Sequence, residues 1–274
     1  MNVTVVDKDS DICGVFQCLR SESILALDCE GVDLGRTGEI CIVQLSTRER
    51  CFLFDVHRLT SNCCEMIDEL KDILENNSIM KIIHDCKMDS DALYHLLGIR
   101  LHNVHDTQAW DQAIRGKEVN LNDLLSTYAL PQNNKRDKNM YVSNFRFWAT
   151  RPLTSKMIDW ASGDVGCLFQ LHERQNSLAS PSQRETGKAL SNANLRAVRE
   201  GRVTVEPLNG RLVGRFIGPK GRNLKSLSNK VPGCFFQFTT IGRGGISNRV
   251  VAYAPDERKL NEVRRLLTPY LDRR

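Results

Sequence analysis

Three short apolar runs, residues 24–29, 39–45 and 51–56, follow one another with only Gly-rich or charged turns between them. Runs of this length, punctuated in this way, predict three consecutive β-strands. Residues 63–76 then switch to helical spacing, with Met66, Ile67, Leu70, Ile73 and Leu74 on one face, and residues 79–83 predict a fourth, buried strand. A helix over 88–97 stops at Gly98, and Val104 falls in a short strand. Asn120 opens another helix, closed by Leu130-Pro131, and residues 154–175 form one more behind capping residues. A strand meander that passes into alternating helices and strands is an α/β fold. The polar, basic stretch 132–146 reads as a loop.

At 274 residues the chain exceeds the size at which one hydrophobic core usually stops growing, so two domains of unequal size are expected. Residues 176–194 are rich in Ser and Asn and poor in large apolar side chains, the composition of a linker. The resulting division is 1–175, a linker over 176–199, and 200–274. Charge follows it: residues 200–274 hold 15 Lys/Arg against 6 Asp/Glu, a net +9, within a chain of net +5, so the remainder is −4. A basic module attached to an acidic one suggests polyanion binding, the plainer alternative being a solvated basic surface. No stretch reaches the ~18 apolar residues of a membrane span, and the N-terminus lacks a secretory pattern, so a soluble, intracellular protein without a membrane partner is expected. Cytoplasm is favoured over nucleus. The ten cysteines are scattered, only Cys63 and Cys64 being adjacent, which suits reduced thiols.

Asp28 and Glu30 sit two apart at the C-terminal end of an apolar strand, so both side chains leave one face of the sheet, where Mg²⁺ or Mn²⁺ can bridge them. Alone, such a pair is most often solvated surface. Its setting is more specific: carboxylates beside apolar neighbours are costly unless paired or metal-bound, and Gly31 and Gly35 let a ligand approach the backbone.

The stretch Leu27-Asp-Cys-Glu-Gly-Val-Asp-Leu-Gly-Arg36 resembles the first motif of the RNase D-like branch of the DEDD 3'-5' exonuclease superfamily. Ile82-Ile-His-Asp-Cys-Lys-Met-Asp-Ser-Asp-Ala-Leu93 resembles the second, which implies a catalytic role for Asp89. Asp85 competes for that assignment, its structural alternative being a cap on the following helix. His84 then reads as a satisfied or supporting histidine. Val104-His-Asp-Thr-Gln108 resembles the family's Asp-Thr segment, with Asp106 in a supporting role, and Phe147–Leu153 is also similar. The third motif implies a tyrosine four residues before an aspartate, and this chain has Trp160 before Asp164. Tryptophan has an N–H donor but no acceptor and cannot hold the attacking water as a phenol does. Its structural alternative is core packing. The resemblance thus implies a two-metal site of Asp28, Glu30, Asp89 and Asp164, a ribonuclease H-like mixed sheet flanked by helices, and turnover that Trp160 weakens.

In the basic part, Gly214-Arg-Phe-Ile-Gly-Pro-Lys-Gly-Arg-Asn-Leu-Lys-Ser-Leu227 joins two short helical stretches through a Gly-x-x-Gly turn. The order strand, helix, turn, helix, strand, strand, helix resembles a type I KH domain, a small α+β fold. The resemblance implies nucleic-acid contacts at Gly218, Pro219, Lys220, Gly221 and Arg222, the glycines admitting a sugar-phosphate backbone, with Arg215, Lys225, Arg243 and Arg249 extending the positive surface. Each basic residue reads individually as a solvated charge.

Together these readings imply a metal-dependent 3'-5' exonuclease acting on single-stranded RNA, DNA being compatible too, with the KH module holding substrate. The alternative is an RNA-binding adaptor of weak or absent catalysis, acting in a homodimer or a ribonucleoprotein assembly. Similarity to a family with a piRNA-biogenesis member suggests small-RNA processing.

Overall fold

The computed structural model describes residues 1–7, 12–59, 64–137, 139–140, 144–242 and 246–271; side chains at 58, 59, 64, 220, 225, 240–242, 246 and 247 are outside this description. Cys63 and Arg243 lie outside the described residues, as do the side chains of Lys220 and Lys225. The chain forms two compact units, Met1–Leu195 and Arg196–Arg274.

The first unit is built on a six-stranded mixed sheet in the order β1-β4-β3-β2-β5-β6. Its strands are β1 (Asn2–Val6), β2 (Ile24–Val32), β3 (Glu39–Ser46), β4 (Arg50–Phe54), β5 (Met80–Ile83) and β6 (Val104–Asp106). β2, β3 and β4 form the antiparallel meander, while β1 on β4, and β5 and β6 beside β2, run parallel. Parallel strands need crossovers, and the helices α1 (Ile12–Arg20), α2 (Val56–Leu59), α3 (Cys64–Glu75) and α4 (Lys87–Leu97) supply them. Gly98, with φ +68°, ends α4 as expected from its freedom to turn left-handed. The edge strand β1 and the helix α1 had no counterpart in the sequence reading, since residues 2–6 alternate too weakly to stand out.

Helices clothe both faces. One apolar cluster joins α1, α3 and α4 to the sheet through Phe16, Leu25, Leu27, Phe54, Leu70 and Leu93. The other joins α6 (Leu121–Thr127), α7 (Ser155–Gly166) and α8 (Leu168–Leu178) through Ile42, Leu53, Leu124, Trp148, Trp160 and Leu171. α5 (Thr107–Arg115) follows β6 directly. The single helix expected over 154–175 is two, α7 and α8, meeting at Cys167.

The stretch read as a linker is not one. Residues Pro181–Ala197 form helix α9, and the boundary between units falls within it, after Leu195. Small, polar residues suit this helix because its buried face meets other elements closely. Gly187 lies where a Cβ would stand 2.8 Å from the Trp110 ring, Ser191 Oγ accepts from Asp106 N at 3.2 Å, and Leu195 O accepts from Ser90 Oγ at 2.8 Å. Composition alone had mistaken a tightly docked helix for a free tether.

The second unit has a three-stranded antiparallel sheet, order β7-β9-β8, of β7 (Arg202–Pro207), β8 (Phe235–Gly242) and β9 (Ile246–Ala254). One face is covered by α10 (Val213–Ile217), α11 (Arg222–Lys230) and α12 (Glu257–Leu267) around Phe216, Leu227, Val250, Val263 and Leu267.

Gly187→Ala is expected to destabilise the first unit by about 1–3 kcal/mol in chemical denaturation, because the added methyl meets Trp110. In a free linker the same change would be neutral or slightly stabilising, so no loss of stability would mean that α9 is not docked.

Candidate active site

Asp28 and Glu30 lie on β2, opposite Gln44 and Ile42 of β3, just ahead of an irregularity in the ladder at Glu30/Gly31. That irregularity needs Gly31, where a Cβ would stand 2.0 Å from Glu39 O. Asp164 projects from α7. One carboxylate oxygen from each of Asp28, Glu30 and Asp164 lies within 4.8 Å of the others. Asp28 and Glu30 are half-buried and Asp164 is buried. Asp89, in the first turn of α4, is tied to the same strand: its Oδ1 accepts from Cys29 N at 3.0 Å.

Like charges so placed resist ionisation. Burial first, and then the charges of Asp89 and Asp164, raise Asp28 well above the usual carboxylate range; burial, Asp28 and Asp164 do the same to Glu30. Burial, with a contribution from Asp85, pushes Asp89 up to about 7. Burial raises Asp164 as well, opposed by Arg136, Asn133 and Trp160. A donor set of hard carboxylate oxygens with mutually raised affinities for protons fits a divalent cation such as Mg²⁺ or Mn²⁺, which would favour the ionised form of each.

Asp164 is held by three donors. Asn133 Nδ2 reaches its Oδ1 at 2.8 Å, while Arg136 Nε and Trp160 Nε1 both reach Oδ2 at 3.0 Å. Trp160 is therefore both core, stacked edge-on to Trp148 at 5.5 Å, and part of the site. Asn133 fits because α7 carries Gly163, where a Cβ would stand 2.6 Å from the amide. Neither Asn133 nor Arg136 stands out in the sequence, where the only signal is that 132–146 is polar and basic. The segment before α7 is seated by Arg151, whose guanidinium holds Asp55 at 2.5 and 2.6 Å and Trp148 O at 2.7 Å.

Asp85 is not a helix cap. The N-cap of α4 is Cys86, without a side-chain bond, and Asp85 sits at φ +57° with its carboxylate on Lys87 Nζ at 2.6 Å. Asp106, at the end of β6, instead holds the turn ahead of α4: it accepts from Asp85 N at 2.9 Å and Cys86 N at 3.4 Å, and caps α5 through Gln108 N at 3.0 Å and Ala109 N at 3.4 Å. Asn194 Nδ2 of α9 adds a fifth donor at 2.9 Å. Burial works to raise Asp106, yet these bonds and Lys87 bring it below its ordinary value. His84 Nδ1 pairs with Thr107 Oγ1 at 2.9 Å, while its buried Nε2 has no hydrogen-bond partner among the described residues.

In the second unit, Gly218 and Gly221 both take positive φ, +69° and +74°, where a side chain is strained. Pro219–Gly221 form one 3-10 turn between α10 and α11, tied down by Asn223 Nδ2 donating to Arg215 O at 2.7 Å, and Arg222 is exposed at its end. Ile217 and Leu224 flank the turn, partly buried.

A 3'-5' exonuclease family profile matches residues 3–177. The chain is 38% identical over 109 residues to mouse piRNA biogenesis protein EXD1, a match covering 39% of this chain and 19% of that protein. The silkworm (Bombyx mori) EXD1 is 31% identical over 163 residues, 57% of this chain and 50% of that one. The chain thus spans half or less of these relatives' lengths. Trypanosoma brucei RNase D has the same fold, with TM-score 0.64 and 24% identity over 72% of this chain and 73% of that one. Its complex with RNA gives TM-score 0.58 and 25% identity over 69% and 70%. No helix among the described residues is long and apolar enough to cross a membrane.

Because Asp89 titrates near 7 in the folded protein and near 3.8 in the unfolded chain, it destabilises the metal-free fold as pH rises from about 4 to about 7. Asp89→Asn keeps an acceptor for Cys29 N–H and removes the charge. In EDTA at pH 8 it is expected to be more stable by roughly 2–4 kcal/mol, with a shallower decline across that window by thermal melting. An unchanged or lower melting temperature would overturn this account of the cluster.

Proposed function

Because the chain belongs to the 3'-5' exonuclease family across residues 3–177, we propose that its first unit hydrolyses single-stranded RNA from the 3' end with divalent cations. The second unit, on the same proposal, is a KH-type module that retains the strand. The observation that carries the first part is the convergence of Asp28, Glu30 and Asp164 within 4.8 Å at one end of β2. With Asp89 held to the same strand, these four carboxylates are the residues that would hold the cations. When bound at such a set, divalent cations supply an activated hydroxide and charge stabilisation for the leaving oxygen of an in-line displacement.

The chain's own residues orient that site. Asn133 and Trp160 fix the rotamer of Asp164, Cys29 N–H fixes Asp89, and Asp106 sets where α4 begins. RNA as substrate is supported by the RNA-bound structure of the trypanosome RNase D, and small-RNA processing by the relatives named for piRNA biogenesis. The KH reading is supported by the element order of the second unit and by Gly218 and Gly221 at positive φ, the space where a Cβ would stand at Gly221 being open.

A second reading, an RNA-binding adaptor with little turnover, is favoured by one observation. The position expected to hold the attacking water is Trp160, whose only polar atom already donates to Asp164. Loss of a positioned acid-base group costs on the order of 10²- to 10⁴-fold in rate.

With 3'-unblocked, 5'-labelled single-stranded RNA and Mg²⁺ or Mn²⁺, the protein is expected to release nucleotides stepwise. The Asp28→Asn, Glu30→Gln double variant should be slower by at least about 100-fold, and Trp160→Tyr faster than wild type. Equal product from wild type and double variant would sink the exonuclease reading in favour of the adaptor. For the second unit, changing Pro219 and Lys220 together to Asp should abolish RNA retention in a filter-binding assay while the melting curve is preserved; undiminished retention would move the RNA surface elsewhere.

A further inference from the structure

Arg136 stands where the acidic set most needs a positive charge. Its Nε donates to Asp164 Oδ2 at 3.0 Å, and its side chain is only 28% exposed. The contact bears on the whole set, since one carboxylate oxygen from each of Asp28, Glu30 and Asp164 lies within 4.8 Å of the others. Asp164 has about four lone-pair positions, and Asn133, Trp160 and Arg136 already occupy three of them. Asn133 and Trp160 are neutral donors, compatible with a cation on the remaining face. The guanidinium is not: a divalent ion bridging Asp28, Glu30 and Asp164 would sit against a fixed positive charge in a half-buried site, where repulsion over a few ångströms is weakly screened. Asn133 is anchored by Asn122 at 3.0 and 3.1 Å, whereas the Arg136 side chain bonds Asp164.

We propose that Arg136 is a built-in counter-cation: it pairs with Asp164 in the metal-free protein, holds the acidic set together, and competes with a divalent cation for Asp28, Glu30 and Asp164. The inference rests on reading that set as a cation site. It makes cation binding and the Arg136–Asp164 pair antagonistic, and by linkage each weakens the other by the same factor. The metal-free fold then tolerates a cluster that would otherwise be strongly self-repelling, at the cost of cation affinity.

The test is Mn²⁺ binding to the full chain, followed by the loss of the free-ion electron paramagnetic resonance signal, with melting curves in EDTA and in saturating Mn²⁺. Arg136→Gln is expected to bind Mn²⁺ at least about tenfold more tightly than wild type, which corresponds to about 1.4 kcal/mol. The same variant should melt lower than wild type in EDTA and recover in Mn²⁺. Equal affinity in the two proteins would overturn the competition while leaving the cation site standing, and binding to neither would overturn both. An unchanged melting temperature in EDTA would likewise overturn the counter-cation role. Should Arg136→Gln fold in neither condition, the wild-type chain serves instead: its Arg136 Nε–H nuclear magnetic resonance signal must move to that of a solvent-exposed guanidinium as Mg²⁺ saturates the site, and a signal that stays in place refutes the proposal.

Discussion

Repulsion among carboxylates gathered at the end of β2 is the constraint around which the first unit is arranged. Asp28, Glu30 and Asp164 share less than 5 Å, and Asp89 adds a fourth negative charge through Cys29. Left alone, such a set would be protonated or pushed apart. The neighbouring residues counter it with aimed donors: a backbone N–H for Asp89, and an amide, an indole and a guanidinium for Asp164. Even Gly163 belongs to this arrangement, since only the absence of a side chain there lets Asn133 lie against α7 and reach the carboxylate.

A second carboxylate, Asp106, shows the opposite electrostatics and a complementary role. Surrounded by N–H donors from the turn before α4, the first turn of α5 and Asn194 of α9, it is brought below its ordinary pKa, whereas burial and like charges raise the carboxylates of the site. One buried side chain thereby joins β6 to three helices. It fixes the start of α4 and so the direction in which Asp89 leaves that helix. It also explains why α9 is ordered: Ser191 and Asn194, which look like linker residues in a composition count, are its bonding partners.

The parts of this architecture that were legible in the sequence are those with a strong local signal. The apolar runs gave β2 to β5 to within three residues, Gly98 gave the end of α4, and Asn120 gave the start of α6, where its side chain accepts from Asp123 N at 3.1 Å. Asp28, Glu30 and Asp164 were legible as candidates through spacing and family resemblance, and they do come together. What was not legible depends on partners far along the chain. Asp85 has the composition of a cap, but α4 starts without a side-chain cap, and Asp106, 21 residues on, holds the turn ahead of it through Asp85 N. Arg136 lies in an irregular stretch with no periodicity, and its meaning is its contact with Asp164, 28 residues away. Trp160 reads as core from its neighbours; that its indole N–H also reaches Asp164 is a matter of rotamer and not of pattern.

The tryptophan is the point on which site and activity separate. A tyrosine oxygen at this position offers both a donor and an acceptor, and so can stand between a carboxylate and a water molecule. The indole offers only the donor, and directs it at Asp164 Oδ2, the same oxygen that Arg136 holds. The indole therefore keeps a donor to the carboxylate while removing a place for water. Holding a cation requires the first property; hydrolysis requires both. A site in which Asp164 is bound by three donors, one of them charged, is accordingly organised first for charge balance. What a divalent ion can do there depends on displacing the guanidinium before it depends on the missing phenol.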